Sequence, residues 1–194
     1  MAAAADTAQP PYPVRFAVDY PERLDRLTTL LRVLWVIPIA AVYAAMEGLL
    51  FLPPLLMILF RQKYPGWWFD WNLALSRFGA RLAAYALLLR DEYPSTDEEQ
   101  AVHLEIDRPD VARDLNRWLP LVKWLLAVPH YVVLFFIGIG AFFAVVIAWF
   151  AILFTGRYPR PLFDYVVGVY RWCTRVSGYA LLLVTDRYPP FSLH

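Results

Sequence analysis

The sequence predicts an all-α membrane protein built as a tandem repeat of two units, with four transmembrane helices in total and short amphipathic helices and a short surface strand in each unit. Composition is the first reason. Hydrophobic residues make up 60% and charged residues 18% of the 194 residues, whereas soluble domains average about half and about a quarter. The second reason is two long apolar runs, and the third is an internal repeat.

The long apolar runs cover residues 33–60 and 124–154. Tyrosines aside, Glu47 is the one ionisable side chain in the first run, and His130 is the one in the second. A helix of about 20 apolar residues crosses the hydrocarbon core of a bilayer. A chain of this size has too few other residues to cover two such helices, so the membrane is their predicted environment.

The two halves of the chain share many residues in the same order. We infer a duplication, because chance does not produce so many ordered matches. The predicted parts are a disordered tail (1–13), a first unit (14–95) and a second unit (96–194), with two transmembrane helices in each unit. The matched residues, first half before second, include Arg26/Arg117, Arg32/Lys123, Pro38/Pro129, Tyr64-Pro65/Tyr158-Pro159, Phe69-Asp70/Phe163-Asp164, Arg77/Arg171, Arg81/Arg175 and Asp91/Asp186.

Composition also excludes several classes of function. The formal net charge of +1 argues against a nucleic-acid-binding surface, which would be strongly basic. Residues 1–13 lack the basic and apolar regions of a signal peptide. The single cysteine, Cys173, excludes an intramolecular disulfide and a multi-cysteine metal site. We expect no cofactor and no metal, and we interpret Cys173 as a packing residue.

Each unit is predicted to begin with a short strand, residues 14–20 in the first unit and 102–107 in the second. Every second position in these segments is apolar, as in a strand with one buried face. A single short strand would leave both of its edges unpaired. We therefore predict that the two strands pair with each other across the pseudo-twofold axis of the repeat.

An amphipathic helix is predicted after each strand. Apolar residues recur on one face and basic residues lie beside them, a pattern typical of helices at the level of the lipid headgroups. The residues predicted to contact headgroups or a partner protein are Arg23, Arg26, Arg32, Arg113, Arg117 and Lys123.

The last element of each unit is an apolar helix, 66–89 or 161–184, with one aspartate and two arginines. The arginines follow the aspartate by seven and eleven positions, so at ~100° per residue the three side chains share one narrow stripe. A narrow stripe favours a spanning helix whose charges face protein. The predicted intramembrane charged network is Glu47, Asp70, Arg77, Arg81, Asp164, Arg171 and Arg175.

Several alternatives remain open for these charges. An ion pair between Glu47 and Arg77 is predicted, because the two residues lie at similar depths on either side of the Tyr64-Pro65 turn. The stripe fits a structural network, a lipid-headgroup site or a polar path, since a charge inside a membrane needs a partner or a purpose. A second arrangement also fits the pattern: the long apolar runs enter and leave the bilayer on one side, with the arginine helices at that surface.

The distribution of basic residues predicts an orientation for the four spans. Under the positive-inside rule, both termini and the 90–120 linker face the cytoplasm, and the two Tyr-Pro turns face outward. The residues predicted inside are Arg15, Arg23, Arg26, Arg32, Arg90, Arg108, Arg113, Arg117, Lys123 and Arg187. Those predicted outside are Arg61, Lys63, Arg157 and Arg160.

The second half contains the motifs Gly156-Arg157-Tyr158-Pro159, Phe163-Asp164, Arg171-Trp172, Arg175 and Tyr188-Pro189-Pro190-Phe191. These motifs resemble a family of bacterial membrane proteins known only as a domain of unknown function. The resemblance covers about residues 14–191 and implies a location in the bacterial cytoplasmic membrane, with no implied reaction. The first copy diverges, since it has Pro38-Ile39 where the second has Pro129-His130.

Three classes of function fit the sequence. The favoured one is a non-catalytic membrane module, an accessory subunit that associates with a membrane complex or with lipid. The alternative is a small oligomeric transporter or channel with a charged intramembrane stripe. A lipid-modifying enzyme is the weakest, because no catalytic residue is identified. His130 is interpreted as an interfacial or packing residue, with no second ligand at metal-binding spacing.

Overall fold

The computed structural model describes residues 11–47 and 51–194, without the side chains of Val33 and Glu47. This part of the chain is mostly helical, with one small sheet. The elements in chain order are β1 (Val14–Val18), α1 (Arg26–Glu47), α2 (Leu52–Arg61), α3 (Gly66–Ala86), β2 (Val102–Ile106), α4 (Val111–Asp114), α5 (Pro120–Leu126), α6 (Val128–Thr155) and α7 (Arg160–Ala180).

The predicted pairing of the two strands is confirmed. Strands β1 and β2 form an antiparallel sheet in which Phe16 lies opposite Leu104, at the centre of the register. Both of these side chains are buried, as is Val14 at one end of the sheet. Because side chains alternate along a strand, the other face of the sheet carries the polar residues of both strands.

The elements form three layers. The buried face of the sheet packs on α3 and α7, and α1 and α6 pack on the opposite side of these two helices. Helices α2 and α5 contact each other, and α5 also contacts α6 and α7. The core therefore lies on both sides of α3 and α7.

Helices α2 and α6 end in the same way. Each is followed by a residue in the left-handed conformation, Gln62 (φ 49°) after α2 and Gly156 (φ 71°) after α6. A left-handed residue commonly ends a helix, and glycine takes this conformation without steric cost. Pro65 and Pro159 then directly precede α3 and α7, so each Tyr-Pro turn separates two helices.

The prediction of four transmembrane helices is wrong. Among the described residues, α6 alone is long and apolar enough to cross a membrane as a single helix. Two parts of α1, Arg26–Arg32 and Leu34–Met46, meet the criterion only when joined, and they are bent by 52°. Helices α3 and α7 form as predicted, but they lie between the sheet and the outer helical layer. Helix α7 is largely buried, whereas α3 exposes part of its surface, including Asp70 and Arg77. Their arginines, such as Arg77 and Arg171, donate hydrogen bonds to the backbone of the sheet.

The predicted two-sided topology also conflicts with the structure. The Leu24 amide donates to the Gly156 carbonyl at 2.9 Å, and the Tyr20 hydroxyl donates to the Tyr158 carbonyl. The charge count placed the first member of each pair inside and the second outside. Groups that form a hydrogen bond cannot lie on opposite sides of a hydrocarbon core about 30 Å thick.

Candidate functional site

One side of the molecule is an exposed apolar surface, which we call the apolar layer and define as the outward faces of α1, α2, α5 and α6. Helix α6 buries Ala141, Ala144 and Ala148, and these small side chains allow α1 and α7 to approach closely. Much of its remaining surface is apolar and exposed, far beyond the patches that soluble monomers usually show. The largest exposed side chains of the layer include Leu27, Leu34, Trp35, Phe60, Trp118, Trp124, Phe135, Phe136, Phe142 and Phe154.

The opposite side of the molecule is the charged face of the sheet. The Arg15 guanidinium bonds to Asp107 at 2.7 and 2.9 Å and to Glu105 at 3.1 Å, which raises the pKa of Arg15. His103 lies 3.2 Å from the Asp19 carboxylate. All of these side chains are substantially exposed to solvent.

Strand β1 follows α7 along most of the length of that helix. Phe16 packs on Tyr170 at a ring separation of 4.8 Å, and Tyr20 packs on Phe163 at 5.0 Å. At the other end, Val14 lies so close to Gly178 that a Cβ atom there would be 2.5 Å from the valine side chain. Residues 14–20 therefore run alongside α7 from Gly178 to Phe163, and the charged face of the sheet lies beside this part of the helix.

The arginines of the predicted stripe hold the sheet and the C-terminal tail. Arg77 donates to the Leu104 carbonyl at 3.1 Å, and Arg171 donates to the Phe16 carbonyl at 2.9 Å. These two carbonyls belong to residues that face each other at the centre of the sheet. Arg81 donates to the backbone of Ser95, and Arg175 donates to the backbone of Ser192 and His194.

The acidic members of the stripe lie apart from these arginines. Asp70 is exposed in the first turns of α3, and Asp164 pairs with Arg160 one turn earlier in α7 at 3.3 Å. The side chain of Glu47 lies outside the described residues, so its predicted pair with Arg77 is not placed. The structure therefore brings the stripe arginines to backbone carbonyls and not to the aspartates.

Two of the residues predicted to contact headgroups, Arg32 and Lys123, form buried ion pairs instead. Arg32 pairs with Asp91, and Lys123 pairs with Asp186 at 2.7 Å. The ring of Tyr85 lies beside Arg32, and that of Tyr179 lies beside Lys123. Burial lowers the pKa of Lys123, and Asp186 opposes that change.

The other predicted headgroup arginines are exposed. Arg113 lies at the surface, and Arg117 donates to the Leu59 carbonyl near the end of α2. Arg23 and Arg26 lie beside the end of α6. There they line a basic pocket of about 500 Å³, defined by Arg23, Leu24, Arg26, Thr155, Gly156 and Arg157. Sequence reasoning missed Arg157, because the charge count placed it across the membrane from Arg23.

A cavity of about 460 Å³ lies between the two halves of the molecule. Its walls combine hydroxyl groups of α3 and α7 with apolar side chains of the sheet, and include Ser76, Leu104, Ile106, Cys173, Thr174 and Ser177. Burial raises the pKa of the Cys173 thiol, so the thiolate that reacts or binds metals is disfavoured. Among the described residues, no group of three or more His, Cys, Asp or Glu could hold a metal ion.

The sequence motifs of the second half meet around His130. The His130 ring is fully buried and stacks on Phe191 at 4.0 Å, and Tyr188 lies on it at 4.7 Å. The Trp172 indole donates to His130 Nδ1 at 3.0 Å. The histidine thus joins α6, α7 and the C-terminal tail, which is a packing role.

Residues 118–192 match the model of a family described as a domain of unknown function, DUF4389. The match runs from just before α5 to the tail and contains all four members of the His130 cluster. It confirms that the second half contains a segment similar to a domain of unknown function. No curated protein and no solved structure matches the chain.

Proposed function

We propose that the protein is a non-catalytic membrane module that lies on one side of the bilayer. In this arrangement the apolar layer is embedded among the lipids, α3 and α7 lie above it, and the charged face of the sheet meets water. It is the one-sided alternative that the sequence left open. The proposed setting is the bacterial cytoplasmic membrane, and the proposed role is that of an accessory subunit associated with a membrane complex or with lipid.

The observation that carries this proposal is the alignment of β1 with α7. If α6 and α7 crossed the bilayer, the charged face of β1 and β2 would cross it as well. Each charged side chain at the bilayer centre costs about 2.5–3.5 kcal/mol on insertion scales. Both outer edges of the two-stranded sheet would also face lipid, where backbone groups find no hydrogen-bond partner. Embedding from one side avoids both costs.

The length of α6 agrees with an in-plane position. Its 28 residues extend for about 42 Å at ~1.5 Å per residue, well beyond a hydrocarbon core of about 30 Å. Apart from Tyr131 and Thr155, the exposed side chains of α6 are apolar, so this surface suits immersion. Exposed tryptophans at α5, Trp118 and Trp124, suit the interface between lipid and water.

We also propose that the module arose by duplication of one unit. Support comes from equivalent contacts in the two halves. The buried pairs Arg32–Asp91 and Lys123–Asp186 occupy matching positions of the repeat. The carbonyl contacts of Arg77 and Arg171 are related in the same way.

A depth measurement tests the one-sided arrangement. In a Cys173→Ser background, an environment-sensitive fluorophore is attached to Phe142→Cys on α6 or to His103→Cys on the sheet, and the protein is reconstituted in vesicles. Doxyl groups on the lipid acyl chains should quench the label at position 142 and spare the label at position 103. Equal quenching at both positions would contradict the proposal, because the sheet would then share the depth of α6.

The accessory role has a separate test. Crosslinking in native membranes followed by purification in mild detergent should recover the protein with a defined partner or with tightly bound lipid. Glu105→Lys, on the water-facing sheet, should reduce recovery of a protein partner, whereas Ser95→Ala, in the loop that precedes β2, serves as a control. Recovery of the protein alone, without a partner or lipid, would contradict an accessory role.

A further inference from the structure

The basic pocket at the end of α6 brings together three arginines from two distant segments. Arg23 and Arg26 come from the start of α1 and the turn before it, and Arg157 follows the end of α6. The hydrogen bond from the Leu24 amide to the Gly156 carbonyl joins the two segments at 2.9 Å. The pocket is therefore built by the tertiary fold.

The charge in this pocket is unbalanced. No carboxylate lines it, and none of the seven ion pairs among the described residues includes Arg23, Arg26 or Arg157. The nearby Asp25 carboxylate instead accepts the Leu27 amide at the start of α1. A helix C-terminus contributes only about half of a negative charge, which one arginine would balance. Three guanidinium groups therefore exceed what the end of α6 requires.

The position of the pocket indicates the source of its ligand. It lies at the rim of the apolar layer, between two of the most exposed apolar side chains, Phe154 (78% exposed) and Leu27 (64%). In the one-sided arrangement these two side chains enter the acyl region, which places the arginines at the depth of the lipid phosphates. Arginine forks bind phosphate oxygens through paired, charge-assisted hydrogen bonds.

We infer that this pocket binds the phosphate of an anionic phospholipid headgroup. The phosphate chemistry follows from the three arginines, and the assignment to lipid rests on the proposed embedding of the apolar layer. Gly156, at φ 71°, lines the pocket without a side chain and leaves room for the headgroup.

The first half offers a natural comparison. In the repeat, Gln62 corresponds to Gly156, Lys63 to Arg157 and Asp114 to Arg23. The equivalent location therefore has a carboxylate in place of one arginine. The variants Arg26→Gln/Arg157→Gln and Arg61→Gln/Lys63→Gln each remove two positive charges from exposed sites, so the second pair controls for general electrostatic attraction.

Thermal unfolding of the full chain in neutral detergent micelles provides the test. Phosphatidylglycerol at about tenfold excess over Kd should raise the Tm of the wild type and of the Arg61→Gln/Lys63→Gln control by about 3–5 °C. Arg26→Gln/Arg157→Gln should bind about 100-fold more weakly and lose the shift, because two charge-assisted contacts are removed. Phosphatidylcholine should give a much smaller shift.

The outcomes separate the pocket from the membrane attachment. Equal Tm shifts with phosphatidylglycerol in both double variants would show that the lipid does not bind in this pocket. This conclusion would hold whatever the depth measurement shows. An equal shift with inorganic phosphate alone would overturn the assignment to lipid. If Arg26→Gln/Arg157→Gln lowers the Tm in the absence of lipid, the variant is destabilised, and Arg26→Lys/Arg157→Lys is used for the binding test in its place. Lysine keeps the positive charge but lacks the paired N–H donors of a guanidinium group. An unchanged affinity for phosphatidylglycerol would therefore overturn specific phosphate recognition by the arginines.

Discussion

The buried ion pair between Lys123 and Asp186 gives a sharp stability prediction. The Lys123 side chain is 0% exposed and its Nζ lies 2.7 Å from the carboxylate, which is 20% exposed. Lys123→Met leaves Asp186 without its cation. Breaking a fully buried pair costs about 3–5 kcal/mol. Asp186 keeps some solvent contact and a hydrogen bond from the Asn116 amide, so we expect a loss of about 2–3 kcal/mol.

Equilibrium unfolding in detergent measures this loss and its origin. Lys63→Met, at an exposed site, should change stability by less than about 0.5 kcal/mol. A double-mutant cycle of Lys123→Met and Asp186→Asn should show a coupling free energy of about 1–2 kcal/mol between the two residues, as is typical of residues in contact. Lys123→Arg should lower the stability only slightly, because an arginine, Arg32, forms the buried ion pair with Asp91 in the first half. Additive losses in the cycle would show that Lys123 and Asp186 do not stabilise each other.

Three further changes test the interior contacts. Trp172→Phe removes the hydrogen bond to His130 and should lower stability by about 1–3 kcal/mol, measured by thermal unfolding; an unchanged Tm would contradict the packing role. Arg171→Met leaves the Phe16 carbonyl without its side-chain donor and should speed hydrogen exchange in β1 and β2 while sparing the amides in the middle of α6. Burial raises the pKa of Tyr64 from 10.0 to about 12. The neutral Tyr64 hydroxyl therefore stabilises the folded state fully below pH 10, and this stabilisation is lost as the pH rises through about 12. Between pH 10 and 12, the free energy of unfolding of Tyr64→Phe should therefore fall by about 2–3 kcal/mol less than that of the wild type. An equally steep fall in both proteins would contradict this prediction.

The sequence predicted local structure well, because local patterns determine it. Alternating apolar residues predicted both strands, and the open edges of two short strands predicted their pairing. The apolar runs and Tyr-Pro turns predicted where α3 and α7 begin. The ends of these helices were less accurate, since the apolar segments continue beyond Ala86 and Ala180 into turns that pack in the core.

The environment of the helices could not be predicted in the same way. The narrow charged stripe of α7 fits a spanning helix and an interior helix equally well, because both hide charges from apolar surroundings. The partner of Arg171 is a strand carbonyl 155 positions away, and no periodicity reports such a contact. The charge count likewise assumed spans, so it separated Arg157 from Arg23 although the fold brings them together.

The buried cations carried a signal that sequence reasoning did not use. In the proposed repeat, Arg32 corresponds to Lys123 and Asp91 corresponds to Asp186. A cation and an anion that both recur in two copies are candidates for one ion pair. Their place beside basic surface residues instead suggested headgroup contacts.

Labelling from one side of the membrane tests the one-sided arrangement most directly. Single cysteines replace Arg113, which precedes α5 and α6, and Arg157, which follows α6, in a Cys173→Ser background. An impermeant thiol reagent is applied to right-side-out and to inverted vesicles. One-sided embedding predicts that both positions react in the same type of vesicle and are protected in the other. Reaction of the two positions in opposite types would show that α6 crosses the bilayer and would contradict the account.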